Sequence, residues 1–267
     1  MSAANPPAPL DAASAPSRGR LWWEIAIVLS LGLGQSAVYA IVALAYRLTR
    51  ETALADQTAT LNPSLSDREL FDLIYQLLAI AFALAPVLLV CYLLWAPRHP
   101  RLGALGLDGT RIGRDVVWGA GLVAAIGIPG LALYAGGRAL GLFVAVNPGG
   151  LGEHWWTIPV LLLSAARAAA EEEFVVLGYL FARLRQLGWG TWPIIVATSV
   201  LRASYHLYQG PGAFVGNLLM GLAFGFLFTR TGRLLPFLVA HFLIDAVVFV
   251  GYPLAAAWWP SIFGLPG

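Results

Sequence analysis

The chain has 267 residues, of which 59% are hydrophobic and only 11% are charged. Soluble globular domains carry about 25% charged residues, so this composition excludes an ordinary soluble domain and predicts a polytopic membrane protein. The formal net charge of +2 is too small for a nucleic-acid-binding surface, and the single cysteine, Cys91, excludes an intrachain disulfide and a thiolate metal site.

Seven apolar segments follow one another along the chain, and each is close to the ~20 residues that a membrane helix requires. They lie at about residues 21–46, 70–95, 116–142, 155–183, 189–208, 213–229 and 234–250. A shorter apolar stretch near the C-terminus could add an eighth crossing. We therefore expect an all-α fold, a polytopic bundle of seven to eight membrane helices in a lipid bilayer.

The composition changes along the chain and predicts four regions. Residues 1–20 are rich in Ala, Pro and Ser, which predicts a disordered tail. Residues 21–154 contain the first three predicted membrane helices, and residues 155–250 contain four more, which carry the polar residues discussed below. Residues 251–267 form a short apolar C-terminal segment.

The arginines are distributed unequally between the two sides of the predicted bundle. With the N-terminus inside, the inner loops receive Arg18, Arg20, Arg98, Arg101, Arg111, Arg114, Arg183, Arg185, Arg230 and Arg233, and the outer loops receive Arg47, Arg50 and Arg68, with Arg138 near a helix end. Because loops rich in arginine stay on the cytoplasmic side, we expect an integral membrane protein whose N-terminus is cytoplasmic.

Three consecutive carboxylates, Glu171, Glu172 and Glu173, interrupt the fourth predicted membrane helix. A charge at bilayer depth costs about 3 kcal/mol or more, so it is retained where it has a partner or a function. Consecutive helical residues are rotated by about 100°, so the three cannot share one face. Arg167 lies four residues before Glu171 and can pair with it. A structural ion-pair network is the alternative to a functional site.

Glu172 and a histidine on the next predicted helix should lie at the same depth. Glu172 is as many residues before Trp189, near the predicted turn, as His206 is after it. In antiparallel neighbouring helices, equal distances from the turn place two side chains level with each other. A histidine level with a buried carboxylate indicates a site more strongly than a lone histidine does.

The last predicted membrane helix carries a second histidine. His241 and Asp245 are four residues apart and share a face, where Asp245 could accept a hydrogen bond and fix the tautomer of the ring. His241 is nearer to its own turn, so its helix has to begin deeper to bring it level with Glu172. Further polar groups near this layer, all with weaker claims, are Asn217, Tyr205 and Tyr208.

The order and spacing of these residues resemble a known family. The motifs are Glu172-Glu173-Phe-Val-Val-Leu-Gly178, then Tyr205-His206, then His241-x-x-x-Asp245, each on its own predicted helix. They resemble the CPBP family of CAAX prenyl endopeptidases and bacteriocin-processing intramembrane proteases, over about residues 155–250. The resemblance implies an integral protein of a bacterial cell membrane that hydrolyses a peptide bond within the bilayer.

The resemblance also implies a role for each matching residue. Glu172 with His206 would position and deprotonate a water molecule, and His241 with Asp245 would stabilise the oxyanion. Glu173 matches the second carboxylate of the family. A general base and a polar pocket of low dielectric are what peptide hydrolysis needs.

Two positions depart from the family pattern. Leu177 stands where the family usually has arginine, and Arg202 stands where it usually has an aromatic residue. We expect Arg202 to supply, from the neighbouring helix, the positive charge that is missing at residue 177. The alternative is a family member that has lost catalysis.

The resemblance also raises the question of whether the site binds a metal ion, because the family is often labelled metalloprotease. Glu172, His206 and His241 could supply a Zn site with an open fourth position. The helical zinc motif H-E-x-x-H is absent from the sequence, and the glutamate and histidine mechanism of the CAAX-type members needs no ion. We expect no cofactor, with Zn at these three residues as the alternative.

Two classes of function therefore remain open. The first is an intramembrane endopeptidase acting on a peptide or membrane-protein substrate, and a prenylated peptide, a bacteriocin leader and another membrane protein are all candidates. The second is a non-catalytic membrane scaffold or a proton-linked carrier, built on the same charged helices. The oligomeric state is left open as well.

Overall fold

The computed structural model describes residues 16–95, 102–147 and 150–254. Most of the tail predicted at residues 1–20 lies outside the described residues, and the first helix already begins at Arg18. The C-terminal segment predicted at residues 251–267 is described only as far as Leu254. A possible eighth crossing in that segment therefore falls outside the described residues.

Ten α-helices make up most of the described part of the chain. In order they are α1 (Arg18–Ser30), α2 (Leu33–Leu48), α3 (Glu69–Ala83), α4 (Ala85–Leu93), α5 (Ile112–Ala139), α6 (Thr157–Glu173), α7 (Phe181–Gln186), α8 (Thr191–Ser204), α9 (Pro211–Thr231) and α10 (Leu235–Ala246). Turns of π-helix follow α6 and α10, at Phe174–Leu180 and Val247–Gly251, and short 3₁₀ turns lie at Leu54–Asp56, Gly103–Leu105 and Leu207–Gln209.

The helices that could cross a membrane are fewer than the sequence predicts. Four described helical segments are long and apolar enough, namely Glu69–Leu93, Ile112–Ala139, Pro211–Thr231 and Leu235–Leu254. The pair α1 and α2, bent by 56°, makes a fifth if it is one span. These apolar helices make the chain an integral membrane protein, but a count of seven to eight crossings is not confirmed.

Two predicted crossings are not among these segments, and the reason is different for each. The helical run from Thr157 to Gln186 is long enough, but it carries the three glutamates and Arg167, which are more charges than a lipid-exposed span tolerates. Helix α8 has only 14 residues, which is shorter than the hydrocarbon core of a bilayer. Both segments nevertheless form helices where the sequence predicts them.

A small parallel β-sheet is an addition to the predicted all-α fold. Strand β1 (Thr58–Thr60) pairs with strand β2 (Ala145–Asn147). Near it, Arg138 at the end of α5 donates hydrogen bonds to the carbonyl oxygens of Ala55 and Phe143. The loop after α2 and the loop after α5 are joined in this way. Strands of three residues are too short to produce a recognisable alternating pattern.

Small residues allow the helices around α6 to approach one another closely. A Cβ atom at Gly119 of α5 would lie 2.7 Å from the carbonyl oxygen of Pro236 at the start of α10. A Cβ atom at Gly221 of α9 would lie 2.9 Å from the Cα atom of Ser199 on α8. Such contacts are typical of membrane helix bundles, and here they fix α8 and α10, which both carry site residues.

A buried ion pair joins three helices at one end of the bundle. The Nε atom of Arg183 on α7 lies 3.1 Å from Oε2 of Glu24 on α1. The same guanidinium donates a hydrogen bond of 2.9 Å to the carbonyl oxygen of Leu93 at the end of α4. The C-terminal end of the helical run that begins with α6 is therefore held between α1 and α4.

The loop before α5 packs against the turn between α9 and α10. The backbone amide of Leu234 donates to the carbonyl oxygen of Leu105, at 2.8 Å. Gly106 has a φ of +69°, and a Cβ atom there would lie 2.5 Å from the Cα atom of Arg233. Only glycine fits this position, both for its backbone conformation and for the space around it.

We expect Gly106→Ala to destabilise the protein more than the matched change Gly109→Ala. Gly109 also has a positive φ, of +74°, but nothing lies within 4 Å of its Cβ position. The left-handed backbone should cost either variant about 1–2 kcal/mol, and the clash should cost Gly106→Ala about 1–3 kcal/mol more. Thermal unfolding in detergent measures both, and equal losses would contradict this packing of the loop.

Candidate active site

The three consecutive glutamates form the last turn of α6, and all three are buried. The helix continues directly into the π-helical turn Phe174–Leu180, and turns of this kind are frequent at functional sites. As the rotation of about 100° per residue requires, each glutamate faces a different set of neighbours.

Glu171 faces Arg167 and the break between α1 and α2. Arg167 lies 3.0 Å from its Oε2 atom, on the same helix face. Its Oε1 atom lies 2.6 Å from the position that a Cβ atom of Gly32 would occupy. Gly32 directly precedes the first residue of α2, so Glu171 packs against the break between α1 and α2.

Glu172 faces the C-terminal end of α8. Its Oε1 atom lies 3.9 Å from Nε2 of His206, and its Oε2 atom accepts a hydrogen bond of 2.6 Å from the hydroxyl of Tyr205. The Nη1 atom of Arg202 lies 3.7 Å from the same Oε2 atom. The equal depth that the sequence predicts for Glu172 and His206 is therefore observed, although His206 lies just past the end of α8 rather than within a helix.

Glu173 connects α6 to both α8 and α10. Its side chain is fully buried, and its Oε1 atom accepts hydrogen bonds from Nη2 of Arg202 and from Nδ1 of His241, the latter at 2.8 Å. An ionised carboxylate only accepts hydrogen bonds, so Nδ1 carries the proton of this contact. Helix α10 thus brings His241 to the level of the glutamates.

Asp245 is further from His241 than the sequence analysis expects. Its Oδ2 atom lies 3.6 Å from Nε2 of His241, which is within ion-pair distance but too long for a hydrogen bond. Glu173, not Asp245, accepts the hydrogen bond that orients the ring, because Nδ1 faces α6. Asp245 instead faces the nitrogen on the other side of the imidazole.

Asn217 makes a contact within its own helix. Its side-chain amide donates a hydrogen bond of 3.0 Å to the carbonyl oxygen of Ala213, one turn earlier on α9. This local bond is common for a polar side chain in a helix. Within the described contacts, the structure does not join Asn217 to the glutamates.

Tyr205 is the residue whose importance the sequence understates. Tyr205 is buried, and its hydroxyl donates a hydrogen bond to Oε2 of Glu172. The available signal is its position next to His206, but spacing alone does not reveal which way a side chain turns at the end of a helix. Arg202 is also buried, with 1% of its surface exposed, and it lies between Glu172 and Glu173, where a positive charge is expected.

The arrangement does not fit the zinc site that the sequence leaves open. The guanidinium of Arg202 lies 3.7 Å from Oε2 of Glu172, where it would repel a cation. Throughout residues 16–95, 102–147 and 150–254, no group of three or more His, Cys, Asp or Glu residues is arranged to hold a metal ion. No step through a metal is therefore derived below.

The fold and the site define a class of protein: an integral membrane protein with a buried cluster of carboxylates, imidazoles and one guanidinium. Residues 154–247 match the family model described as type II CAAX prenyl endopeptidase Rce1-like. The match runs from the start of α6 to the end of α10 and confirms the resemblance to the CPBP family over these residues, about a third of the chain. No curated protein and no solved structure matches the chain.

We expect Arg202→Gln to destabilise the protein far more than Arg167→Gln. The first change removes the guanidinium that pairs with the fully buried Glu173, which should cost about 3–5 kcal/mol. The second removes a pair whose arginine side chain is 31% exposed, which should cost about 1 kcal/mol or less. Thermal unfolding in detergent compares the two, and similar losses would show that the buried pair does not hold the helices together.

Proposed function

We propose that the protein is an intramembrane endopeptidase of the CAAX type, which hydrolyses a peptide bond with a water molecule activated by Glu172 and His206. The observation that carries the proposal is the separation of 3.9 Å between Oε1 of Glu172 and Nε2 of His206. This separation is too long for a hydrogen bond between them, and it allows both atoms to contact one water molecule.

The two carboxylate oxygens of Glu172 have different neighbours and different proposed roles. Tyr205 and Arg202 contact Oε2, so Oε1 is the oxygen that faces His206 and the water. In the proposed step, Oε1 accepts a proton from the water while the water oxygen bonds to the carbonyl carbon of the substrate. His206 holds the water through its second contact. The proton later passes to the amine that leaves when the carbon–nitrogen bond breaks.

His241 is the proposed donor to the oxyanion of the tetrahedral intermediate. Its Nδ1 atom is bonded to Glu173, and its Nε2 atom, 3.6 Å from Asp245, makes no hydrogen bond of normal length to it. In the proposed mechanism the ring carries protons on both nitrogens and donates Nε2–H to the oxyanion. Glu173 fixes the orientation of the ring, and Asp245 balances its charge. Preorganised donors of this kind contribute strongly to acyl hydrolysis.

The proposal includes the class of substrate and the setting. A site enclosed by membrane helices favours a peptide or a membrane-protein segment that reaches it from the lipid phase. The matched family model names CAAX prenyl endopeptidases, which makes a lipidated peptide one candidate. The proposed mechanism uses no metal, and the proposed setting is a bacterial membrane with the N-terminus on its cytoplasmic side.

We expect Glu172→Gln to reduce cleavage by about 100-fold or more, because the amide cannot accept the proton from water. The matched control is Glu171→Gln, which changes the adjacent carboxylate that faces Arg167 and Gly32 and should retain most of the activity. The measurement is a survey of cleaved peptides in membranes containing wild type or either variant.

The same survey of cleaved peptides, together with unfolding and proton-flux measurements, distinguishes an enzyme from the alternative functions. Cleavage that is unchanged in Glu172→Gln would rule out its role as the general base. No cleavage by wild type, together with loss of stability in Glu172→Gln, would indicate a scaffold. Proton-coupled flux in vesicles would indicate a carrier.

The two departures from the family pattern generate a second test. We expect Arg202→Phe to abolish cleavage and the double variant Leu177→Arg/Arg202→Phe to restore at least a tenth of it. Residue 177 lies four positions after Glu173, in the π-helical turn that follows α6. An arginine there could therefore supply the positive charge beside Glu173 that Arg202→Phe removes. The measurement is the rate of cleavage by purified variants in vesicles, and a folded but inactive double variant would contradict the exchange.

A further inference from the structure

A cavity lined by arginines lies where the first turn of α5 meets the turn between α9 and α10. Its volume is about 220 Å³, several times the ~30 Å³ that one water molecule occupies. Its polar side is lined by Arg111, Arg114, Asp115, Arg230, Thr231 and Arg233, and its apolar side by Trp118, Leu122, Leu227, Pro236 and Phe237. The cavity is separate from the glutamate cluster, and the proposed hydrolysis does not use it.

One of the four arginines is already neutralised by carboxylates. Arg233 contacts Asp115 at 2.7 Å and Asp108 at 3.1 Å. The backbone amide of Thr110 and the guanidinium of Arg233 hold the pKa of Asp108 well below its usual range, so this partner stays ionised at neutral pH. Arg233 therefore serves the fold, and its charge is not available to a ligand.

The other three arginines of the cavity keep their charges free. Arg111, Arg114 and Arg230 form no ion pair with any carboxylate in the part of the chain that the structure describes. Arg230 only stacks on the ring of Phe226, with 5.1 Å between the guanidinium carbon and the ring centroid. Three guanidinium groups around one cavity create a positive site that suits an anion.

The cavity lies among the ends of three membrane helices. Helix α5 begins at Ile112, α9 ends at Thr231 and α10 begins at Leu235, so the arginines lie where the bundle leaves the hydrocarbon. Trp118, nearly two turns into α5, is 48% exposed and marks the interface, where tryptophan is enriched. The apolar side of the cavity therefore continues toward the lipid chains.

We propose that this cavity binds the phosphate of an anionic phospholipid. Arginine binds phosphate through paired N–H groups, and basic pockets between membrane helices take lipid headgroups. The apolar side accommodates the start of the acyl chains, which free phosphate would leave unused. A phosphatidylcholine headgroup carries its own cation, which the three arginines would repel. The inference concerns lipid recognition and is independent of peptide hydrolysis.

The test measures binding of phosphatidylglycerol to the full chain in a neutral detergent, by native mass spectrometry and by the shift of the melting temperature. The cavity variant is Arg111→Gln/Arg114→Gln/Arg230→Gln. The matched control, Arg18→Gln/Arg20→Gln/Arg185→Gln, removes the same charge from exposed arginines of α1 and α7. We expect about tenfold or more weaker binding for the cavity variant and binding within about twofold of wild type for the control.

Three results would overturn the proposal. The first is an equal loss of binding in both triple variants, which would indicate general attraction to the basic face. The second is phosphatidylcholine binding as tightly as phosphatidylglycerol. The third is inorganic phosphate raising the melting temperature as much as the lipid does, which would assign the cavity to free phosphate.

A milder variant keeps the test decisive if the triple variant does not fold. Arg111→Gln/Arg114→Gln changes only two exposed side chains at the start of α5, and it should still weaken phosphatidylglycerol binding by about fivefold or more. Unchanged binding by this folded double variant would also overturn the proposal.

Discussion

The ion pair between Glu173 and Arg202 is the interaction on which the site depends. Both side chains are almost completely withdrawn from solvent, and either charge alone would be costly at this depth. The oxygen of Glu173 that binds Arg202 also binds His241. One carboxylate therefore holds α8 and α10 against the end of α6, and this connection places Glu172 beside His206.

The charged helix α6 shows how buried charge and membrane insertion oppose each other in this chain. Its three glutamates keep it from resembling an ordinary lipid-exposed span, yet each has a cationic or hydrogen-bonding partner on another part of the bundle or one turn away. Glycines such as Gly32 and Gly221 let neighbouring helices approach closely enough to supply or support those partners. All three glutamates are buried within the bundle.

The arginines of the bundle serve two different purposes. Arg202, Arg183 and Arg233 pair with carboxylates and join helices that are distant in sequence. Arg111 and Arg114 lie exposed at the start of α5, without a carboxylate partner in the described residues. Paired guanidinium groups stabilise the fold, whereas unpaired ones at the membrane boundary remain available to anions. Composition alone does not separate the two groups, because pairing depends on contacts between different helices.

The sequence by itself determined the approximate positions of most helices and that Glu172 and His206 are level, because the length of an apolar segment and the helical rise are local properties. Only the tertiary structure decided which partner a side chain meets on another helix. His241 contacts Glu173 more closely than Asp245, Tyr205 turns toward Glu172, and two short strands pair in parallel. These outcomes follow from the rotation and packing of helices against one another, which residue spacing along one chain does not specify.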